Sequence, residues 1–316
     1  MFLALVKKLL KIQPHPCFQA CVAYANNKKI CVKGHVVERS SNISSTSKSL
    51  SFWRPLRRLL RHYLAKGIEG IPVVLYDGHS RYVQFTGRGG YFCFEIERRE
   101  EQRPFVRLGI EACALYVHVP LCFSHEKMPY VVVSDVDDTV LKTHATRWWQ
   151  RLKYLLFYDV HERKAIPGMQ ALYTFLNAAG ECPPLFFYVS NSEWNLFDLI
   201  RDFLKINHFP DGCLLLRERV HHWRELFRKK ESHKYATIEH LMDMYALPFL
   251  LIGDSGQQDP LIYARLVEHH PGRIKGVYLR LIKEKHRHTP RLKYLEAVCN
   301  ARGVFCRVFT DPEACL

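Results

Sequence analysis

One stretch limits what this chain can fold into more than any other: Val131-Val132-Val133-Ser134-Asp135-Val136-Asp137-Asp138-Thr139-Val140. A short run of β-branched residues reads as a strand buried on both faces, the kind that builds parallel sheets. It ends in three carboxylates within four residues. Acidic side chains just past a strand's carboxyl end lie where open α/β sheets hold their ligands. Asp135 and Asp137 are two apart, so continued strand geometry would aim both to the same side. The stretch reads either as a pair for metal binding, nucleophilic attack and proton transfer, or as an acidic turn capping the next helix.

The residues after it alternate between strand and helix patterns. Strands are expected at 130–134, 185–189, 213–216, 249–252, 274–281 and 303–309. Helices are expected at 144–158, 168–179, 193–206, 233–246, 259–269 and 290–301. Such alternation predicts a doubly wound parallel sheet over residues 129–316.

The residues before it read differently. Strand runs at 18–24 and 30–38 flank Asn26-Asn27-Lys28-Lys29, a good turn. Further strand patterns cover 71–76, 82–86, 91–96 and 112–119, with Asp77-Gly78 and Gly87-Arg88-Gly89-Gly90 as turns. The expectation is a small antiparallel β-sandwich over residues 17–128. A basic amphipathic helix at 53–64 interrupts it, its arginines either a solvated face or a contact for lipid phosphate or nucleic acid. Residues 1–16 read as an amphipathic helix carrying Lys7, Lys8 and Lys11, docked on the core or lying on an anionic membrane.

Composition narrows the partners. The net charge of +15 draws the chain to polyanions. Signatures of DNA readers, zinc fingers and aromatic RNA-binding strands are not apparent, so nucleic acid is not the expected partner. No apolar run reaches the roughly 18 residues of a membrane span. Eleven cysteines without a Cys-x-x-Cys pair, and no secretory signal pattern, suit free thiols in a reducing cytoplasm.

Three further sites in the second half carry polar residues that could join Asp135. Phe186-Phe187-Tyr188-Val189-Ser190-Asn191-Ser192 is an apolar strand ending in a hydroxyl and leading to a helix, a phosphate cradle or simply a helix cap. His233-Lys234 at a helix start offers a fixed cation, or a surface lysine. Phe249-Leu250-Leu251-Ile252-Gly253-Asp254-Ser255-Gly256-Gln257-Gln258-Asp259 is again an apolar strand ending in glycines and carboxylates, a ligand loop or a turn.

Taken in order, Asp-x-Asp-x-Thr, Ser, Lys and Gly-Asp-x-x-x-x-Asp resemble the haloacid dehalogenase (HAD) superfamily of phosphotransferases. The strings Ser134-Asp135-Val136-Asp137-Asp138-Thr139, Tyr188-Val189-Ser190-Asn191-Ser192, His233-Lys234 and Ile252-Gly253-Asp254-Ser255-Gly256-Gln257-Gln258-Asp259-Pro260 resemble, more narrowly, the phosphatidate phosphatase family typified by the yeast actin-patch phosphatase. Asp138, where most HAD enzymes carry Gly, fits that narrower family. The resemblance covers about residues 130 to 282.

The resemblance implies an HAD-like fold and a role for each matched residue. Asp135 would be the nucleophile and Asp137 the general acid and then base. Thr139, Ser190 and Asn191 would hold the phosphoryl oxygens, and Lys234 would neutralise them. Mg²⁺ would be held by Asp135, the Asp137 main-chain carbonyl and Asp254, with Asp259 either a further ligand or an acceptor behind the ligands. The implied substrate is phosphatidate or another lipid phosphate, met by a cytoplasmic protein attached peripherally to an anionic membrane surface. The insertion at 143–164 mixes aromatic and basic residues, suiting either a membrane interface or ordinary packing. The same chemistry on a soluble or nucleic-acid phosphomonoester, and a non-catalytic module that binds anionic lipid, are the alternatives.

Overall fold

The computed structural model describes residues 12–40, 65–78, 80–98, 104–124, 127–136, 166, 168–178, 180–218, 223–256 and 258–315. The chain is α/β and forms two compact units.

The first unit is built from seven strands: β1 (Ile12–Ala25), β2 (Lys29–Ser40), β3 (Pro72–Asp77), β4 (Ser80–Phe85), β5 (Tyr91–Glu97), β6 (Phe105–Ile110) and β7 (Leu115–Phe123). They form one sheet in the order β4-β3-β6-β7-β1-β2-β5. The β1–β2 hairpin closes as expected, with Asn26 Oδ1 accepting the N–H groups of Lys28 and Lys29 at 2.7 Å each. Alternation puts Val73, Leu75, Val106 and Leu108 inside.

The antiparallel pairing is as expected, and the order of neighbours is new, because alternation fixes which face is buried but not which strand is whose neighbour. Two expectations change here. Strand β1 already begins at Ile12, so residues 12–16 are strand and not the end of a helix. A register shift between Ile12 and Pro16 accommodates the two prolines, which cannot donate to a ladder. Strand β6 was not anticipated. Residues 1–11 of the expected amino-terminal helix, the expected basic helix at 53–64 and the 143–164 insertion lie outside the described residues.

The second unit carries β8 (Val131–Asp135), β9 (Leu185–Glu193), β10 (Gly212–Arg217), β11 (Phe249–Asp254), β12 (Ile274–Arg280) and β13 (Phe305–Phe309) in the order β10-β9-β8-β11-β12-β13. Pairings β8–β9, β8–β11, β11–β12 and β12–β13 are all parallel. Helices α1 (Met169–Asn177), α2 (Phe197–Ile206), α3 (Trp223–Met244), α4 (Asp259–His269) and α5 (Pro290–Arg302) connect them. The helix expected from residue 233 starts ten residues earlier, at Trp223. The run Arg224-Glu225 to Lys230-Glu231 has good helix propensity, but the apolar spacing of Trp223, Leu226 and Phe227 stops there, with no apolar residue from 228 to 234 to continue it. No helix among the described residues is long and apolar enough to cross a membrane.

Candidate active site

Strand order places the site. Strand β9 lies on one side of β8 and β11 on the other, so the chain's direction across the sheet reverses between β8 and β11. The crevice at the carboxyl ends of such a pair is where doubly wound sheets bind ligands. Asp135 is the last residue of β8 and Asp254 the last of β11, and both are buried. Parallel register, with Ser134 opposite Ile252, holds the two ends level. Asp259 opens α4, followed by Pro260 in the first helical turn, where its missing N–H costs nothing.

Lys234 lies within α3, is fully buried, and places Nζ 2.9 Å from Asp135 Oδ1. It also pairs with Asp259 Oδ1. Burial opposes the ammonium charge, but the Asp135 and Asp259 carboxylates outweigh it and hold the pKa above the ordinary lysine value. Asp259 Oδ2 accepts the Asp254 N–H at 3.2 Å, and Asp254 Oδ1 accepts the Gly256 N–H at 2.5 Å. One carboxylate oxygen from each of Asp135, Asp254 and Asp259 lies within 4.8 Å of the other two. Three buried carboxylates thus cluster together, and one buried ammonium pairs with two of them. Buried charge left uncompensated is costly, and a group of hard oxygen donors is what a divalent cation such as Mg²⁺ takes. The donor set fits such an ion.

Ser190 is also buried. Strand β9 continues to Glu193, so Ser190 sits in the strand end and does not cap α2, which begins at Phe197. Its Oγ instead accepts the Ser192 N–H at 2.9 Å, shaping the turn-out of the strand. The neighbouring Asn191 main-chain oxygen accepts from Arg217 Nε at 3.2 Å. Thus Asp135, Ser190, Lys234, Asp254 and Asp259 are brought to the carboxyl edge of the sheet and its flanking helices. Asp137 and Thr139 lie outside the described residues, as does Asp138.

Several supporting residues escaped the sequence reading. Arg217 ends β10 and is buried beside the Ser190–Asn191 turn. Its signal was present: a charged residue closing the apolar run Cys213-Leu214-Leu215-Leu216, the same pattern that revealed Asp135. Tyr173 on α1 hydrogen-bonds the Ser134 hydroxyl, which itself donates to the Asp135 main-chain oxygen at 2.7 Å. Tyr263 on α4 donates to the Ile252 main-chain oxygen at 2.8 Å. Burial, reinforced at Tyr263 by the carboxylates of Asp259, Asp135 and Asp254, pushes both phenols far above their ordinary pKa. They are structural donors at neutral pH. Gly253 is required by close approach: a Cβ there would stand 2.5 Å from Asp259 Oδ2 and 2.8 Å from the Tyr263 ring.

Residues 130–281 match the family described as phosphatidate phosphatase APP1, catalytic domain. The phosphatidate phosphatase APP1 of Saccharomyces cerevisiae is 28% identical over 156 residues, covering 48% of this chain and 26% of that protein. An uncharacterized protein of Schizosaccharomyces pombe is 27% identical over 157 residues, covering 47% and 24%. The chain therefore spans about a quarter of the length of the curated relatives it matches. Among solved structures, a carbohydrate acetylesterase from Xanthomonas citri aligns over 92% of this chain and 74% of its own, at 10% identity and a TM-score of 0.29, too low to carry an argument. Through residues 130–281 the chain is similar to the phosphatidate phosphatase APP1 catalytic domain.

Proposed function

We propose that the parallel-sheet unit is an HAD-like, Mg²⁺-dependent phosphatase that cleaves a lipid phosphate monoester, with phosphatidate to diacylglycerol as the favoured reaction. The supporting observation is the buried Asp135 carboxylate at the switch point, held by Lys234 and faced by Asp254 and Asp259.

In this reading an Asp135 oxygen attacks phosphorus. The new O–P bond forms as the ester O–P bond breaks, and the departing oxygen takes a proton from Asp137. Water then attacks the aspartyl-phosphate, gives its proton to Asp137, and releases inorganic phosphate with Asp135 restored. Thr139, Ser190 and main-chain N–H groups near Asn191 hold the phosphoryl oxygens, and Lys234 offsets their charge. Arg217 keeps the Ser190–Asn191 turn in place by its bond to the Asn191 carbonyl. Asp135, Asp254 and Asp259, with the Asp137 carbonyl, would hold the metal, which when bound relieves the repulsion between carboxylate and phosphate. The protein would meet its substrate by peripheral attachment to an anionic membrane surface.

The test is phosphate release from phosphatidate vesicles, with and without Mg²⁺, by the wild type and Asp135→Asn. Release that needs Mg²⁺ and vanishes in the variant is expected. Turnover of soluble phosphomonoesters with none on vesicles would move the substrate away from lipid. Vesicle binding with no turnover of any phosphate would make the domain a binding module.

A further inference from the structure

One face of the seven-stranded sheet, opposite the side that buries Val73, Leu75, Val106 and Leu108, exposes large apolar side chains around the buried Val74 and Gly109. Register assigns the side chains to it. Val83, Val74, Gly109 and Tyr116 form one cross-strand row over β4, β3, β6 and β7, and Arg81, Tyr76, Arg107 and His118 form the next. Phe85 and Phe105 extend the face at its two ends, opposite Pro72 and Pro120. Seven large apolar side chains are exposed among the described residues, and four of them are here: Phe85 at 65%, Val83 at 46%, Tyr116 at 41% and Phe105 at 38%. Scattered single exposures need no explanation, but a concentration on one face does.

The face is built rather than frayed. Arg107 lies over the rings of Tyr116 and Tyr76, at 4.3 and 5.3 Å from their centroids. Phe105 meets His118 edge to face at 4.7 Å. A Cβ at Gly109 would stand 2.8 Å from the Tyr116 ring, so glycine is what lets that ring lie along the sheet. The result is a sheet face of aromatic rings with guanidinium and imidazole groups set among them.

We propose that this face docks on the headgroup region of an anionic bilayer, inserting Phe85, Val83 and Phe105 at the acyl boundary. The inference rests on the lipid-phosphate reading for its choice of partner. Aromatic side chains favour the membrane interface, and arginine keeps its charge at the headgroups while its stem and stacked rings lie in apolar surroundings. The chain's +15 charge is complementary to anionic lipid, and electrostatic attraction adds to apolar burial for a surface that lies on a membrane without spanning it.

The experiment is vesicle flotation with the full chain carrying Asp135→Asn, so that turnover cannot alter the lipid. Phosphatidylcholine vesicles with phosphatidylserine are compared with pure phosphatidylcholine. Added Phe85→Ser and Phe105→Ser substitutions should weaken binding to the anionic vesicles roughly tenfold, the scale of losing two partly buried rings. Arg107→Gln alone should reduce the preference for anionic over neutral vesicles. In the otherwise wild-type chain, the two serine substitutions should leave turnover of a soluble phosphomonoester unchanged, which separates failure of this surface from failure of the catalytic reading. Undiminished vesicle binding in the double variant would overturn the proposal. So would a dimer in solution that the same substitutions dissolve, or nucleic-acid binding lost with them, because either would give the face another occupant.

Discussion

The two sheets solve opposite problems with the same kinds of residue. Every residue of β11, Phe249 to Asp254, is buried. In β4, Ser80 to Phe85, none is. A parallel strand with helices on both faces has nowhere to put a polar side chain except its end, so Asp135, Arg217 and Asp254 all stand at strand termini. An antiparallel strand with one dry face can carry chemistry along its whole length, and the outer row Arg81, Tyr76, Arg107 and His118 does so. A site made at strand ends is a point, suited to gripping one phosphate. A site made along strands is a surface.

That contrast can be tested by comparing variants at the point with variants on the surface. Asp135→Asn should lower turnover by roughly four orders of magnitude, the scale seen when a nucleophile is removed, and steady-state phosphate release would read it. Lys234→Met should be the largest stability change. It leaves Asp135 and Asp259 buried without their cation, a loss of about 3–5 kcal/mol that urea denaturation in the absence of divalent ions would show. The pH dependence has a definite sign. The folded-state pKa of Lys234 lies above its ordinary 10.5. Its stabilisation is therefore complete below that ordinary value and fades only as pH climbs through the raised one. The gap between wild type and Lys234→Met should stay constant through neutral pH and shrink only in strong alkali. Gly253→Ala should cost about 1–3 kcal/mol by pressing its methyl on Asp259 and Tyr263, and should weaken divalent-ion binding measured by calorimetry.

The smallest effect belongs to the surface. Arg81 forks onto Glu111 at 2.6 and 3.1 Å, both side chains well exposed. Arg81, then Tyr76, holds the Glu111 carboxyl below its usual range, so any stabilisation is present above that range and lost as pH falls through the lowered value. Solvent screens such a pair. Arg81→Gln should leave the thermal midpoint within measurement error. A clear drop would mean that the outer face carries more of the fold's stability than its exposure suggests.

Legibility followed the same division. The point-like site was readable because an apolar run ending in a polar residue is a sharp local signal, which Asp135, Ser190 and Asp254 carry, with Asp259 closing the loop that Asp254 opens. Lys234 was placed at a helix start and proved to be interior, because residues 228–234 of α3 are all polar and break the apolar spacing begun by Trp223, Leu226 and Phe227. Strand β6 was missed although Val106, Leu108 and Ile110 alternate with Arg107 and Gly109, because a glycine inside a strand weakens the pattern, yet Arg107 and Gly109 build the outer face. Which strands neighbour which could not be read at all. Long-range pairing is decided by packing between segments far apart in sequence, and it set the order β4-β3-β6-β7-β1-β2-β5.

The burial of Lys234 has a practical consequence. Amine-directed reagents need an uncharged, reachable nitrogen, and here the nitrogen is both enclosed and kept protonated. Surface lysines should acylate within minutes while this one waits for the domain to open. Its labelling rate is then a clock for that opening, readable by peptide mass spectrometry, and any ligand that tightens the crevice should slow it.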